Sequence, residues 1–422
     1  MNARKRIRIA GSLLAAGLLT AACSSGSGGT SASGTSPGAS VYGVLSCFTG
    51  RLASLGQAMI QGAQVAQKSI DDAGGVNGKP LTLTQADTGC DVAEGVTALN
   101  QMLTKGVNGV IGPETQEING VEPILQNNKI IDEFQGGDTS RDHQTDPFLF
   151  RDSPSDSQLG VAMALYAYTK GYRKAALLFY SDAAAQTIVK PVNDTFIKLG
   201  GTIAISVTVT PGQTSYLSQV QQVINAHPDV IFTQTDAPTA AVLFKDFSQV
   251  NGLTTPFVGT DVTSGSDYLK AITYPVAHAH LTSVYGTSVT GQANDAFLSV
   301  FNQMFPADKA AGPLANANYA YDAVISLALA QDYAKSTDGT TVAADMTKVT
   351  NPTGTACYTY ATCLTLLKAN TKINYEGASG SIDYNKYNNV SGPYAAFQAD
   401  ATTGVETQGF VMSSDKLAAA TP

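Results

Sequence analysis

Two polar loops with chemically useful residues follow short apolar segments in the first third of the chain. One spans 112–116, after the segment 109–111, and the other spans 135–139, after 130–134. Backbone N–H groups and hydroxyls in such loops bind an anionic group without a full positive charge, particularly beside a helix N-terminus. The candidate ligand-binding residues are Thr115, Gln116, Gln135, Gly136, Gly137 and Thr139. The alternative is that the glycines are present for turn conformation.

Three aspartates stand in similar positions in the middle of the chain. Asp182, Asp236 and Asp261 follow the apolar segments 175–180, 230–233 and 257–259. A carboxylate that is buried at a strand end needs a cationic partner, such as the amino group of a ligand. Each of them could instead cap the N-terminus of a helix.

Aromatic stacking is the remaining recognition chemistry to consider. The chain has no tryptophan, so stacking on a sugar or a base would have to use Phe48, Tyr180, Tyr285 or Tyr319. Each of these rings could equally belong to the core or to the wall of a cleft.

Enzymatic motifs are scarce in the sequence. It contains no His-Glu-x-x-His or Cys-x-x-Cys motif, and its one Gly-x-Ser-x-Gly match, at 34–38, lies in a segment made only of Ser, Gly, Thr, Ala and Pro, without the strand and helix that flank a nucleophile elbow. Of the four histidines, His278 and His280 alternate as if on one face of a strand, but no acid or cysteine cluster stands nearby, and we predict no metal and no cofactor. Catalytic groups can assemble from distant positions, so a secreted hydrolase remains a weaker alternative.

The elements that must position these residues alternate regularly. Hydrophobic patterns predict strands at 40–45, 81–85, 109–111, 130–134, 175–180, 203–209, 230–233 and 257–259, and helices at 56–72, 92–105, 121–127, 157–169, 186–199, 215–226, 240–247 and 316–334. This order predicts α/β architecture with doubly wound parallel sheets covered by helices on both faces. In such sheets the ligand lies beyond the carboxyl ends of the strands, where the polar loops above stand.

The N-terminal segment is typical of a secreted protein. Four basic residues precede an apolar run at 9–22 that is short for a membrane span, which indicates a signal peptide over residues 1–22. The sequence Leu19-Thr20-Ala21-Ala22-Cys23 resembles a bacterial lipobox, although Thr20 stands where leucine is usual, and implies a lipid on Cys23. An ordinary signal peptide is the alternative. Residues 24–40 are all Ser, Gly, Thr, Ala or Pro, so 23–40 is predicted to be a flexible, membrane-anchored tether.

Size and charge narrow the classes of protein and partner. About 380 residues follow the tether, which is more than one hydrophobic core normally serves, so two domains are expected. Loss of the four basic residues of the signal peptide takes the formal charge from -8 to -12. We therefore expect no nucleic-acid partner.

Four cysteines follow Cys23, and an even number in a secreted protein indicates disulfides. Cys357 and Cys363 are close in sequence and can close a surface loop, which leaves Cys47 to pair with Cys90. Cys47 and Cys90 follow the first and second predicted strands, so they should also meet at one edge of the sheet.

Several short sequence segments along the chain resemble conserved segments of the type I periplasmic binding proteins of the branched-chain amino acid and amide class. The most specific is Ile-Asp-Asp-Ala-Gly-Gly-Val-Asn-Gly at 70–78, and residues 46–50 stand where that family has Gly-Pro-x-Thr-Gly. Further landmarks in family order lie at 87–91, 109–113, 148–151, 259–261, 321–324 and 375–380. The resemblance covers nearly everything after the tether.

The resemblance implies two α/β lobes joined by a hinge of three segments, a venus-flytrap arrangement. Lobe 1 would comprise residues 41–156 and 286–388, and lobe 2 would comprise 157–285 and 389–422. A solute would be trapped when the lobes close.

The resemblance also assigns roles to particular residues. Asp261 stands at the position of an acid that pairs with a ligand amine, and Phe48 lies in a cleft loop. Leu55 replaces an aromatic residue that amino-acid binders of the family usually have, and 183–185 is all alanine where they have a tyrosine. Tyr319 is a further candidate for the cleft wall.

The implied function is that of an extracytoplasmic solute-binding lipoprotein. It would capture an amino acid, an amide or a similar small polar molecule for the permease subunits of an ABC importer, as a monomer and not as an enzyme. The same module can also serve as a sensor for a signalling receptor, and the sequence does not separate these two roles.

Overall fold

The computed structural model describes residues 38–287, 291–310 and 312–421, apart from the side chain of Arg51. The first sheet has five parallel strands in the order β2-β1-β3-β4-β5. Its strands are β1 Val41–Ser46, β2 Thr82–Asp87, β3 Gly109–Ile111, β4 Ile131–Glu133 and β5 Leu149–Phe150. The central strands β3 and β4 are wholly buried, as expected for a parallel sheet that is covered on both faces.

The second sheet has seven strands in the order β14-β13-β10-β9-β8-β6-β7. Its strands are β6 Lys174–Tyr180, β7 Thr202–Val209, β8 Val230–Gln234, β9 Phe257–Gly259, β10 Leu281–Gly286, β13 Tyr394–Ala399 and β14 Glu406–Met412. Strand β13 runs antiparallel to both of its neighbours, β10 and β14, whereas the other pairings of this sheet are parallel. The short segment 400–405 joins β13 and β14 into a hairpin. A small parallel pair, β11 Thr355–Cys357 and β12 Ile373–Tyr375, stands apart.

Fourteen helices are present in the described residues. They are α1 Ala53–Asp72, α2 Val92–Leu103, α3 Ile118–Asn128, α4 Asp156–Thr169, α5 Ala183–Lys198, α6 Leu217–Asn225, α7 Ala237–Gln249, α8 Gly265–Ile272, α9 Tyr274–His280, α10 Gln292–Met304, α11 Ala317–Ala334, α12 Gly339–Val349, α13 Tyr360–Lys368 and α14 Ser414–Ala420. All sixteen predicted strands and helices are found, with ends shifted by at most three residues. The predicted α/β class with two parallel-sheet lobes is therefore confirmed.

Each sheet has its own hydrophobic core. One core contains β1, α1, α10 and α11, and the other contains α4, α5, β6 and β8 together with residues from β13 and α14. We call the first sheet with its helices the first lobe, and the second sheet with its helices the second lobe. Helices α1 and α11 approach closely at Gly62, where a Cβ atom would lie 1.9 Å from the carbonyl oxygen of Ala317.

The chain passes between the two sheets three times: after β5, after β10 and before β13. These crossings lie side by side. The N–H of Arg151 donates to the carbonyl of Asn388 at 2.9 Å, and the N–H of Thr287 donates to the carbonyl of Pro393 at 3.1 Å. Backbone hydrogen bonds thus tie all three crossings together.

Only the end of the predicted tether belongs to the described part of the chain. The predicted signal peptide, Cys23 and residues 24–37 of the predicted tether lie outside the described residues. Ser40, which the sequence assigns to the tether, is buried, and its hydroxyl donates to Oε1 of Gln331 at 2.5 Å. No helix in the described ranges combines the length and the apolar character that crossing a bilayer requires.

One structural prediction was wrong. His278 and His280 do not alternate on a strand; both lie in α9, and β10 begins only at Leu281. Pro275 is the reason, because it stands in the first turn of α9, where its missing N–H costs nothing and its fixed φ favours a helix.

Candidate ligand-binding cleft

A cavity of about 720 Å³, counted with the part that is open to solvent, lies between the two sheets. Loops at the carboxyl ends of β3 and β4 line it from the first lobe, and loops after β6, β8 and β9 line it from the second. Its walls are formed by Leu52, Leu55, Met59, Glu114, Thr115, Gln116, Gln135, Gly136, Gly137, Asp156, Tyr180, Asp182, Ala184, Ile188, Gln234, Asp261, Val262 and Asn316. This is where a doubly wound sheet places its ligand.

Eight of the twelve predicted ligand-binding residues meet in this cleft. They are Leu55, Thr115, Gln116, Gln135, Gly136, Gly137, Asp182 and Asp261. Parallel strands explain this convergence, since their carboxyl ends all reach the same edge of each sheet. Residues far apart in sequence are therefore brought to facing walls.

The other four candidates lie elsewhere. The Phe48 ring packs partly against the first-lobe core, and Thr139 begins a short 3-10 helix at 139–141. Asp236 caps α7 by accepting the N–H of Thr239 at 2.9 Å, because it directly precedes that helix. Tyr319 lines a second cavity of about 400 Å³, which shares Gln135, Gly137, Asp156, Asp261 and Asn316 with the cleft.

Gly136 and Gly137 are needed for space and not for an unusual backbone conformation. Neither has a positive φ. A Cβ on Gly136 would lie 2.5 Å from the hydroxyl of Thr115, and one on Gly137 would lie 2.0 Å from Oδ1 of Asp156. Both distances are far below van der Waals contact. Gly136 therefore lets the loops after β3 and β4 lie close together, and Gly137 leaves room for the carboxylate of Asp156.

Asp261 links the two lobes directly. Its Oδ2 accepts a 2.7 Å hydrogen bond from Nδ2 of Asn316, which precedes α11 in the first lobe. Burial raises the pKa of Asp261 above its ordinary value, and the hydrogen bond from Asn316 opposes that rise.

Asp156 faces the same space from the start of α4. Its Oδ2 accepts the hydroxyl of Thr187 at 2.5 Å. Burial, together with repulsion from Asp261, raises the pKa of Asp156 to about 7. The nearby cation Arg151 opposes this rise, but its guanidinium is bound to Asp142 at 2.6 Å.

Glu114 is the third of these acids, and sequence analysis did not single it out. Ser46 donates to its Oε1 at 3.2 Å, and only 8% of its surface is exposed. Burial first, and then repulsion from Glu117 and Asp261, raises the pKa of Glu114 to about 8. Its position inside the loop 112–116 was the available signal, since both neighbours Thr115 and Gln116 were predicted.

The sequence indicated less clearly that the other residues line the cleft. Asn316 and Asp156 stand at helix starts and look like ordinary caps in the sequence. Tyr180 was considered only as a stacking ring, and its hydroxyl is bonded to that of Thr239 at 2.6 Å. The apolar patch of Leu52, Leu55 and Met59 comes from the start of α1.

Asp182 combines both roles that the sequence allowed. It lines the cleft, and its Oδ1 accepts the N–H of Ala185 at 2.8 Å as the cap of α5. The position of a cap at the end of a parallel strand makes these roles compatible, since the cap also faces the edge where ligands bind.

Both predicted disulfides are present. Cys47 is joined to Cys90 with their Cα atoms 5.0 Å apart, and Cys357 is joined to Cys363 with their Cα atoms 5.3 Å apart. The first connects the loops after β1 and β2, since these strands are neighbours in the sheet.

The chain is similar in sequence to known binding proteins. The family model for periplasmic binding proteins matches residues 42–404. The chain is 25% identical over 315 residues to Leu/Ile/Val-binding protein homolog 1 of Brucella abortus, which covers 71% of this chain and 79% of that protein.

Two solved structures show the same fold. The leucine-binding protein LivK of Thermotoga maritima superposes with a TM-score of 0.75 at 19% identity, over 89% of this chain and 99% of that one. A solute-binding protein of an ABC transporter from R. palustris, in complex with benzoate, superposes with a TM-score of 0.71 at 17% identity. The match covers 89% of this chain and 97% of that one.

Proposed function

Because the chain belongs to the periplasmic binding protein family, we propose that it is an extracytoplasmic solute receptor that delivers a small polar molecule to an ABC importer. Members of this family are solute-binding proteins, and the family implies an extracytoplasmic location. We assign the receptor no catalytic step of its own.

The observation that carries this proposal is the cleft whose two walls come from different lobes. A ligand in it would contact the loop at 114–116 and the loop at 135–137 from one side and Asp261 from the other. Such a ligand stabilises the closed arrangement because it makes contacts that exist only when both walls are close.

The three crossings are proposed to act as the hinge. They are short and mutually hydrogen-bonded, while each lobe has its own core. The proposed lobes are 41–156 with 286–388 and 157–285 with 389–422. Closure then rotates two rigid bodies and changes backbone angles at only a few positions.

The proposed ligand is an amino acid, an amide or a similar molecule with an amino group that Asp261 binds. The relative from Brucella abortus is named for Leu, Ile and Val, one structural neighbour is named for leucine, and the other was solved in complex with benzoate. The polar groups of Thr115, Gln116 and Gln135 would bind the other polar atoms of the ligand.

A thermal-shift screen tests the function. The purified protein is heated with amino acids, amides, short peptides, aromatic acids, sugars, polyols and nucleosides. A solute at a concentration of about 100 times its Kd adds about 2.7 kcal/mol of stability and so raises the Tm. If no solute class raises the Tm, the receptor proposal is wrong.

Transport is tested in cells that lack the gene. Uptake of the solute found in the screen should fall and should return with the wild-type gene, but not with Asp261→Ala. Undiminished uptake in the deletion strain would contradict the importer role. We propose that the receptor works as a monomer, which sedimentation of the purified protein checks.

Lipid anchoring at Cys23 is proposed from the sequence alone. The wild-type protein should sediment with membranes, and Cys23→Ala should appear in the soluble fraction. Equal membrane association of both forms would contradict the anchor.

A further inference from the structure

Three acids of the cleft converge on one region. Glu114 lies in the loop after β3, Asp156 at the start of α4 and Asp261 in the loop after β9. Repulsion from Asp261 contributes to the raised pKa of each of the other two. Asp182 is left out because it caps α5.

Little in the described structure neutralises these acids. None of the described side chains that line the cleft is basic. Each acid receives hydrogen bonds from neutral groups: Glu114 from Ser46, Asp156 from Thr187 and Asp261 from Asn316. A ligand with a single amino group pairs directly with only one of the three buried carboxyl groups.

Tyr319 supplies an independent indication that a hydrogen-bonding ligand group binds here. Its side chain is 4% exposed, it lines the second cavity beside Asp156 and Asp261, and its hydroxyl has no hydrogen-bond partner among the described residues. Gly286 leaves the room for this hydroxyl, since a Cβ there would lie 1.8 Å from it. A buried hydroxyl without a partner is costly, and a ligand N–H can donate to it.

We propose that the cleft selects an organic cation with two amino groups and a net positive charge, with one ammonium at Asp261, Asp156 and Tyr319 and the other at Glu114. This rests on the proposed receptor function and names the ligand class of the same site. The apolar patch of Leu52, Leu55 and Met59 then faces the aliphatic chain between the amino groups.

The physical reason is the relief of repulsion. Within the cleft, burial and the neighbouring acids disfavour the charged forms of Glu114 and Asp156. Two ammonium groups offset both effects, whereas a ligand carboxylate near Glu114 would add to them. Specificity then comes from the second amino group.

Calorimetry with matched ligand pairs tests the proposal. L-lysine is compared with L-norleucine, and putrescine with butylamine, because each pair differs in one amino group. A charge-assisted hydrogen bond contributes about 1.5–3 kcal/mol, so the diamino member should bind at least about tenfold more tightly. Glu114→Gln should remove most of that ratio, while Asp338→Asn, which alters an exposed helix cap far along the chain, should preserve it.

The wild-type ratios decide the matter even if Glu114→Gln fails to fold. If neither L-lysine nor putrescine binds, or if norleucine and butylamine bind as tightly as their partners, the proposal is overturned. Binding of leucine, glutamine or benzoate without the diamino compounds would overturn it and still support the receptor function. Failure of every solute class in the broader screen would overturn the receptor function as well.

Discussion

The side chain of Asn316 donates a 2.7 Å hydrogen bond to Asp261 across the cleft. Asn316 precedes α11 in the first lobe, whereas Asp261 follows β9 in the second. A residue of each lobe thus shares the carboxylate that we assign to the ligand amine. The position of Asp261 therefore depends on how far the lobes are closed.

Removal of the Asp261 charge should weaken ligand binding. Asp261→Asn keeps an oxygen that can accept from Asn316 but lacks the charge for an amine, and Asp261→Ala loses both. We expect each to weaken binding at least about tenfold, with the alanine variant worse, since hydrogen bonds to charged groups contribute about 1.5–3 kcal/mol. Calorimetry with the ligand found in the screen measures this, and unchanged affinity in Asp261→Asn would contradict the assignment.

Addition of one methyl group at Gly137 should disrupt the cleft. The Cβ would lie 2.0 Å from Oδ1 of Asp156, so that carboxylate or the loop must move. We expect Gly137→Ala to lose about 1–3 kcal/mol of unfolding free energy and most ligand affinity. Urea unfolding and calorimetry measure both quantities.

Gly409 provides the matched control for that experiment. It has no positive φ, it is exposed, and a Cβ there would meet its nearest neighbour at 3.4 Å. Gly409→Ala should change stability by less than about 0.5 kcal/mol and leave binding intact. Equal effects of the two substitutions would show that close packing at Gly137 is unimportant.

Stability of the ligand-free protein should depend on Glu114 and pH. Its folded pKa of about 8 lies above the ordinary value of 4.5, because of burial and the nearby carboxylates of Glu117 and Asp261. Its favourable contribution is complete below pH 4.5 and is lost as pH rises through about 8. The slope that this group adds is at most about 1.4 kcal/mol per pH unit, with stability falling as pH rises.

Glu114→Gln isolates this contribution. Urea unfolding at several pH values should show similar stabilities near pH 5 and a more stable variant near pH 8 to 9. Asp156 and Glu406, whose pKa values are also raised to about 7 by burial, contribute equally to both proteins and cancel in the difference. A difference that does not change with pH would refute the assignment.

The two disulfides should differ in their effect on stability. Cys47 and Cys90 are 43 residues apart, and Cys357 and Cys363 are 6 apart. A longer loop loses more entropy in the unfolded chain when it is closed, which gives about 4 and about 2 kcal/mol for the two bonds. Urea unfolding of the two double-serine variants should show this order, and the reverse order would contradict the loop-entropy explanation.

The sequence determined the fold class because hydrophobic periodicity is local. Strand and helix patterns at 230–233 and 240–247, for example, are set by neighbouring residues, and both were found with small shifts. The shift of the α7 start to Ala237 follows from Asp236 as its cap. The disulfide partners were also predictable, since β1 and β2 are adjacent and end at the same edge.

Long-range geometry decided the rest. The sequence does not show that Asn316 reaches Asp261, that Glu114 is buried beside it, or that Tyr319 lies in a cavity next to Asp156. It allowed both a helix cap and a ligand contact for Asp236 and for Asp261, and did not show that Asp236 caps α7 while Asp261, at an equivalent strand end, lines the cleft. These differences arise from how two lobes pack and where their loops meet, because burial and pairing depend on residues that are far apart in sequence, such as Asp261 and Asn316, 55 positions apart, which no local pattern records.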